Sequence, residues 1–425
     1  MNNKLFAYIK KSPTAYHACN QGAKLLRAAG YTELCESDAW TLESGKSYFV
    51  RRNGSSLIAF RAPEKCVGGF MITASHSDSP ALRIKDNGTI SDASYTRLST
   101  EVYGGPIYPS WLDRPLAIAG RVSVRTEHGI AVKLIDTQTP CVIIPNVAIH
   151  MNRQINKGFE YNPAVDLLPL FGDSSASLRA MLARLASCAD EDILASDLYV
   201  YNCADGVEWS RFVSAPRLDD LQCAFAALTA FMRAKESKAT PVFALFDNEE
   251  VGSATKQGAA STLLYDVLWR IVASVDRDSQ AYQRAIANSF MLSCDNAHAQ
   301  HPNHPEFSDK NHTVKMNGGV VIKYNANQKY TSDGVSAALF KMICEKAGVP
   351  YQLYCNRADM PGGSTLGSIA TTKVSLKTVD IGLAQLAMHS AMETAGADDT
   401  AHMVNALTCF YEHAIKQTGD GYVLE

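Results

Sequence analysis

Short apolar runs alternate with amphipathic segments along most of the chain. The runs GGFMITAS, PVFALF, SFMLSC and GVVIKYN are short and bounded by polar residues or glycine, which is typical of buried strands. The segments AYHACNQGAKLLRAAG and LQCAFAALTAFMRAKES instead place apolar residues at helical spacing. Strands that alternate with helices in this way predict an α/β fold, in which helices cover a mostly parallel central sheet.

The middle of the chain has a different pattern. GRVSVR and AVKLID read as strands, and the intervening TEHGI predicts a hairpin. CVIIPNVAIH follows as another strand region, and the helical pattern of DSSASLRAMLARLASC closes this part. We therefore predict a discontinuous α/β domain, residues 1–89 and 188–425, interrupted by a β-rich insert, residues 90–187. Two domains also fit a chain of 425 residues, because single cores stop growing at roughly 250 to 300 residues.

Composition argues against several classes of partner. The 40 basic and 43 acidic residues include no basic run of the kind that binds nucleic-acid phosphates. No apolar stretch approaches the roughly 20 residues that a membrane span needs. The N-terminus has no signal-peptide pattern, so we expect a cytoplasmic protein that binds neither nucleic acid nor membrane.

The eleven cysteines are scattered from Cys19 to Cys409 and form no CxxC pair. This distribution predicts reduced thiols and argues against a disulfide framework or a thiolate zinc site. Any bound metal should therefore have carboxylate and histidine ligands.

Polar residues of these types follow several of the predicted strands. They are His76, Asp78, Asp219, Glu249, Glu250, Asp295 and His389. Ligands in α/β folds usually bind beyond the carboxyl ends of strands, and mixed nitrogen and oxygen ligation suits zinc or a neighbouring divalent metal. Each residue alone also has a simpler interpretation, since Asp219 could cap a helix, the histidines could be core residues and the two glutamates could begin a helix.

A second candidate cluster lies in HAQHPNH, which contains His298, His301 and His304. Its histidine spacing could form a metal site, but the two prolines of this region predict an irregular loop. The first set is favoured because its ligand types come from five separate segments.

In order along the chain, SPTAYHA, ASHSDSPALRIK, AIHMNR, APRLDD, FDNEEVGS, SCDNAHAQHPNHPE and LAMHS resemble the motifs of the M18 metallopeptidases, the aspartyl aminopeptidase family. The resemblance covers almost the whole chain. It implies a zinc-peptidase α/β sandwich that is interrupted by a β-rich dimerisation domain. It also implies two zinc ions per subunit, in a site that cobalt or manganese could also occupy. The expected assembly is a homo-oligomer, in which dimers form a tetrahedral dodecamer.

By this resemblance, Asp219 would bridge the two metals. His76 and Asp295 would complete one site, and Glu250 and His389 would complete the other. This sequence has Asp220 where the family often has Asn, which leaves two candidates for the bridging carboxylate, and we favour Asp219.

Four further roles follow from the same resemblance. Asp78 would orient the His76 imidazole, and Glu249 would act as the general base. His150, in AIHMNR, would reach into a neighbouring subunit's active site. Lys323 would face the side chain of the substrate's first residue and pair with a carboxylate there.

The expected reaction is removal of one N-terminal residue, preferably Asp or Glu, from peptides. The alternatives within the metal class are broad neutral specificity and an amidohydrolase that acts on N-acyl amino acids. A serine or cysteine hydrolase is disfavoured because the sequence contains no GxSxG elbow, and GGSTLG, residues 362–367, does not supply one. A non-catalytic binding protein is disfavoured because the expected ligands and the glutamate base are all present.

Overall fold

The computed structural model describes residues 1–64, 68–235 and 238–425. The helices of these residues are α1 (Asn2–Lys10), α2 (Ala15–Ala28), α3 (Pro163–Asp166), α4 (Leu178–Ala186), α5 (Leu218–Arg233), α6 (Leu263–Val275), α7 (Ala281–Ala287), α8 (Gly334–Ala347), α9 (Leu366–Ala370) and α10 (Asp399–Tyr411).

The first eleven strands are β1 (Thr32–Leu34), β2 (Ser47–Arg52), β3 (Ser56–Arg61), β4 (Phe70–His76), β5 (Ala81–Ser91), β6 (Tyr95–Tyr103), β7 (Ala117–Thr126), β8 (Gly129–Asp136), β9 (Leu170–Asp173), β10 (Ile193–Tyr201) and β11 (Val207–Trp209). The remaining described strands are β12 (Phe212–Ala215), β13 (Thr240–Phe246), β14 (Phe290–Cys294), β15 (Ala297–His298), β16 (Val320–Tyr324), β17 (Tyr351–Cys355), β18 (Lys377–Gly382), β19 (Ala384–Leu386), β20 (Glu393–Gly396), β21 (Ile415–Thr418) and β22 (Gly421–Leu424).

The central sheet has the strand order β1-β2-β3-β13-β4-β14-β18-β16-β17. Its middle strands β13, β4, β14 and β18 run parallel, as do the outer pairs β1–β2 and β16–β17. The other three neighbouring pairs of the described sheet are antiparallel. The predicted α/β fold with a mostly parallel central sheet is therefore confirmed.

Both faces of the central sheet are covered by helices. Alternate residues of each strand point to opposite faces, so they pack into two separate cores. In β13, Phe243 and Leu245 pack into the core formed with α1, α2, α5, α8 and α10. Val242, Ala244 and Phe246 pack into the opposite core, with α6, α7 and α9. Because both faces are buried, the strand is a continuous apolar run, PVFALF, with no alternation of apolar and polar residues.

The second sheet has the order β8-β7-β10-β5-β6-β9, and its neighbouring strands are antiparallel. The predicted hairpin is present, since β7 pairs with β8 and Thr126 lies opposite Gly129. The sheet also contains β5 and β10, which lie partly or wholly outside residues 90–187. Its strands therefore extend from Ala81 to Tyr201.

The third sheet has the order β11-β12-β20-β19-β15.

The cysteines that the structure describes are all free thiols. Among the described helices, none combines the length and apolar character that crossing a membrane would require.

Candidate active site

Polar side chains meet at the carboxyl ends of three neighbouring parallel strands. β4 ends at His76, β13 is followed by the turn with Glu249 and Glu250, and β14 is followed by Asp295. Because β13, β4 and β14 are adjacent and parallel, their carboxyl ends share one edge of the central sheet. This adjacency brings together residues that are far apart in the sequence.

Possible metal ligands form three overlapping groups in the described residues. In each group the ligand atoms lie within 4.8 Å of one another, and the groups are His76, Asp219, Asp220 and Asp295; His76, Glu249 and Glu250; and Asp219, Glu250 and His389. All five residues that the resemblance names as ligands belong to this cluster.

The Asp219 carboxylate lies between the two histidines. Its Oδ1 is 3.6 Å from His76 Nε2, and its Oδ2 is 3.3 Å from His389 Nε2. The neighbouring Asp220 instead accepts the backbone N–H of His76 at 3.0 Å through Oδ2. Of the two adjacent aspartates, Asp219 therefore has the placement expected of a bridging ligand.

Backbone carbonyl groups fix the orientation of both imidazoles. His76 Nδ1 is 3.0 Å from the carbonyl oxygen of Asp78, and His389 Nδ1 is 3.1 Å from that of Gly105. Because a carbonyl oxygen only accepts, each Nδ1 carries the hydrogen in the neutral ring. The lone pair of each Nε2 then faces the carboxylates, which is the orientation that metal ligation needs.

Asp78 connects His76 to the glutamate turn. Its Oδ1 is 3.4 Å from His76 Nδ1 and accepts the backbone N–H of Glu249 at 3.1 Å. Its Oδ2 accepts the backbone N–H of Glu250 at 3.2 Å and the hydroxyl of Tyr103 at 2.7 Å. One carboxylate therefore contacts both a candidate ligand and the candidate base's backbone.

Lys323 lies beside Asp295 and is 2% exposed. Its Nζ donates to the carbonyl oxygens of Asp295 at 2.8 Å and Asn296 at 3.2 Å, and it is 3.8 Å from Asp295 Oδ2. Burial lowers the pKa of the ammonium, but the Asp295 carboxylate and other nearby acidic groups outweigh it, so the pKa is raised overall. Lys323 is therefore a buried cation at the edge of the cluster.

The electrostatics of the cluster favour bound cations. Burial raises the pKa of Glu249 to about 8, with the charge of His76 opposing this shift and the nearby carboxylates adding to it, and burial also raises the pKa of Asp295 to about 6. Burial lowers the pKa of His389, but Asp219 and Glu250 outweigh this and raise the pKa to about 10. The raised pKa values of the two carboxyl groups favour their neutral forms, and the raised pKa of His389 favours its cationic form. Each shift therefore reduces the net negative charge of the cluster.

Buried carboxylate oxygens test whether the residues fit a metal. Asp219 Oδ1, Asp220 Oδ1 and Glu250 Oε1 are buried and have no hydrogen-bond partner in the described part of the chain. A buried anionic oxygen without a partner is costly, and divalent ions bind such atoms. The donor set, two imidazole nitrogens with several carboxylates, fits zinc.

Sequence reasoning missed Glu393, which is buried in β20. Its Oε1 accepts the backbone N–H of His389 at 2.7 Å, and its Oε2 accepts that of Asp219 at 3.0 Å. The third sheet places it there, because Glu393 pairs with Ala215 of β12, just before the Asp219 turn. Its position four residues after His389 was the only available signal, and that spacing alone implies no contact with Asp219.

The third sheet also joins the other ligand segments. β15 follows Asp295 and pairs with β19, which precedes His389. The segments of Asp295, His389 and Asp219 are therefore held by one set of backbone hydrogen bonds.

The structure does not bring His150 to this cluster within the chain. His150 is exposed, and no hydrogen bond or ion pair joins its side chain to the cluster in the described residues. The second candidate cluster is also separate. The rings of His301 and His304 are 5.2 Å apart, but neither they nor His298 belongs to a metal-sized group of described ligands.

Comparisons with known proteins agree with this geometry. The family model described as Aminopeptidase I zinc metalloprotease (M18) matches residues 8–411. A curated relative from Clostridium novyi (strain NT), named "Probable M18 family aminopeptidase 2", is 45% identical over 424 residues, which cover 96% of this chain and 98% of the relative.

Two solved structures have the same fold. A chain of the cryo-EM structure of the Ape4 and Nbr1 complex is 33% identical and has a TM-score of 0.93, covering 96% of this chain and 85% of that chain. A chain of the S. cerevisiae mApe1 dodecamer is 28% identical and has a TM-score of 0.86, covering 97% and 96%. The present chain therefore belongs to the M18 family and is a zinc metalloaminopeptidase of that family.

Proposed function

We propose that this M18 aminopeptidase removes single N-terminal residues, preferably Asp or Glu, at a site that holds two zinc ions. The observation that carries the two-ion assignment is the Asp219 carboxylate, whose two oxygens face two different imidazoles. His76 and Asp295 would hold one ion, and Glu250 and His389 the other, with Asp219 shared. Cobalt or manganese could occupy the same ligands.

When bound, the ions supply Lewis acidity, which polarises the scissile carbonyl and lowers the pKa of the attacking water. Glu249 is the proposed general base. Among the described residues, no hydrogen bond commits its carboxylate, whereas the Glu250 carboxylate is 3.4 Å from His389 Nε2. Glu249 therefore takes the proton from the attacking water and later passes it to the leaving amine.

Lys323 is the proposed determinant of acidic specificity. Two of its N–H groups are committed to carbonyl oxygens, which leaves a third donor on a buried, charged nitrogen. A β- or γ-carboxylate of the substrate's first residue would pair with this charge. An apolar side chain would leave this third donor without a partner, so Lys323 would discriminate by penalty as well as by attraction.

The proposed assembly is a homo-oligomer, in which dimers form a tetrahedral dodecamer. The dodecameric state of S. cerevisiae mApe1 supports this proposal. The segment that carries His150 also exposes apolar side chains, with Val147 53%, Ile149 48% and Met151 79% exposed. Exposed apolar side chains next to one another are typical of an interface. We propose that residues 90–187 provide the dimer contact and that His150 enters a neighbouring subunit's site. We also propose that the protein is cytoplasmic.

A panel of substrates tests the reaction class and specificity together. Zinc-loaded protein is assayed on aminoacyl and N-acyl substrates, before and after chelation. We expect cleavage of Asp and Glu aminoacyl substrates, loss of turnover on chelation and recovery with zinc. Faster cleavage of Leu or Met substrates would exclude the acidic pocket, and turnover of N-acyl substrates alone would favour the amidohydrolase.

A further inference from the structure

Tyr103 brings the second sheet into contact with the active site of the same subunit. It is the last residue of β6 and lies opposite Ala81 of β5. Its ring packs edge to face against Tyr199, with ring centroids 5.5 Å apart. The ring is thus part of the second sheet's packing, whereas the hydroxyl reaches the edge of the central sheet.

The hydroxyl lies between two groups that flank the proposed base. It donates to Asp78 Oδ2 at 2.7 Å and accepts from Asn248 Nδ2 at 2.9 Å. Asn248 immediately precedes Glu249 and has a left-handed backbone, with φ 62°. Its Oδ1 accepts from Thr255 Oγ1 at 2.9 Å and Gln257 Nε2 at 2.8 Å. These two donors fix which end of the amide faces Tyr103.

Asp78 approaches the same turn from the other side, because it accepts the backbone N–H groups of Glu249 and Glu250. The Tyr103 hydroxyl therefore closes a ring of hydrogen bonds that contains Asp78, the Glu249 backbone and Asn248. We propose that Tyr103 is a positioning residue for the general base, which its hydroxyl holds in place through Asp78 and Asn248. This proposal rests on the assignment of Glu249 as the base.

The hydroxyl suits this role chemically. Burial, and then the charge of Asp78, raises the pKa of Tyr103 above its usual value, so the group stays protonated and donates. Its removal takes from Asp78 its shortest hydrogen bond and leaves the Asn248 amide without its acceptor. Small displacements of a general base reduce catalysis, although the remaining contacts of Asp78 keep part of the effect.

The test compares Tyr103→Phe with the matched variant Tyr199→Phe. Both keep an aromatic ring at the same contact, and only Tyr103 uses its hydroxyl for Asp78. For Tyr103→Phe we expect kcat to fall about tenfold, which is part of the roughly 10²–10⁴-fold that a general base contributes. KM should change by less than about twofold, and zinc content should stay at the level of the unaltered protein. Tyr199→Phe should keep its kcat within about twofold.

A double variant separates positioning of the base from a general structural effect. If Tyr103 acts through Glu249, Tyr103→Phe should leave the residual rate of Glu249→Gln unchanged. An equal loss in both backgrounds would overturn the proposal, as would an unchanged kcat in the single variant. Near-normal turnover by Glu249→Gln alone would instead refute the base assignment in the proposed function.

Asn248→Gly provides a second test that does not depend on the fold tolerating the loss of the Tyr103 hydroxyl. Glycine accepts the left-handed backbone and removes the amide, together with its contacts to Tyr103, Thr255 and Gln257. We expect a loss of kcat in the same direction, but smaller, since Tyr103 still donates to Asp78. An Asn248→Gly enzyme with unchanged kcat would contradict the proposed ring of hydrogen bonds.

Discussion

Glu393→Gln should weaken zinc binding, although Glu393 is not itself among the proposed ligands. Its two carboxylate oxygens accept backbone N–H groups from two ligand residues, His389 at 2.7 Å and Asp219 at 3.0 Å. Glutamine keeps the shape but has one acceptor oxygen. Its amide NH₂ must then face an N–H group, so one of the two ligand segments loses its partner.

The magnitude follows from those two hydrogen bonds. A hydrogen bond to a charged group contributes about 1.5–3 kcal/mol, and the neutral amide retains about 0.5–1.5 kcal/mol in one of the two. Burial, and then the charge of Asp219, raises the pKa of Glu393 to about 8. Bound cations would offset the charge of Asp219 and so favour the ionised form of Glu393. The hydrogen-bond energy that Glu393→Gln removes is therefore lost mainly from the metal-bound protein. The smallest net loss these figures allow is about 1.5 kcal/mol, so we expect zinc affinity to fall at least roughly tenfold, which agrees with the roughly 10- to 100-fold usual for groups that orient metal ligands.

Competition with a chromophoric chelator measures this affinity. Glu412→Gln is the control, because Glu412 also accepts a backbone N–H, from Lys235 at 3.0 Å, but outside the ligand cluster. Only Glu393→Gln should lose affinity. Zinc affinity equal to that of the control would refute the inference that Glu393 holds the two ligand segments together.

Three further predictions concern specificity, assembly and pH. Lys323→Met should erase most of the preference for acidic over neutral first residues, measured as a ratio of kcat/KM values, while zinc content stays normal; a retained preference would exclude Lys323 as its source. His150→Ala should lower kcat/KM without changing the assembly measured by light scattering, and a fully active monomer would contradict a shared site. Because the metal-free pKa values of Glu249 and Asp295, about 8 and about 6, are raised, the metal-free fold binds more protons than the unfolded chain. Its free energy of unfolding should therefore fall as the pH rises from about 5 to 8. Zinc binding should tighten over the same range, because zinc displaces protons from its ligands. A metal-free free energy of unfolding that rises with pH would contradict these pKa shifts.

The sequence was sufficient to predict the strands that the candidate ligands follow. PVFALF and SFMLSC read as buried strands because both of their faces pack against helices, and ligand-type residues follow each of them. Which strands would be neighbours was not readable from these runs. The order of the motifs supplied that information, since it matched a family whose strands meet at one edge.

Other parts of the site depend on contacts that no local pattern encodes. Glu393 is 174 residues from Asp219, and the Asn248 amide is 145 residues from the Tyr103 hydroxyl. Each contact exists because elements that are distant in the sequence bring the two groups within hydrogen-bond distance. The extent of the second sheet was equally hidden, because β5 and β10 read as strands of the α/β region until their pairing is known.

Zinc content and turnover of Glu249→Gln and Glu250→Gln, measured side by side, test the separate roles of the two glutamates. We expect Glu249→Gln to keep its zinc but lose turnover, because the amide cannot accept the proton of the attacking water. We expect Glu250→Gln to lose zinc, because a neutral amide replaces an anionic ligand. A zinc-depleted Glu249→Gln protein beside a fully loaded Glu250→Gln protein would contradict the division of roles between the two glutamates.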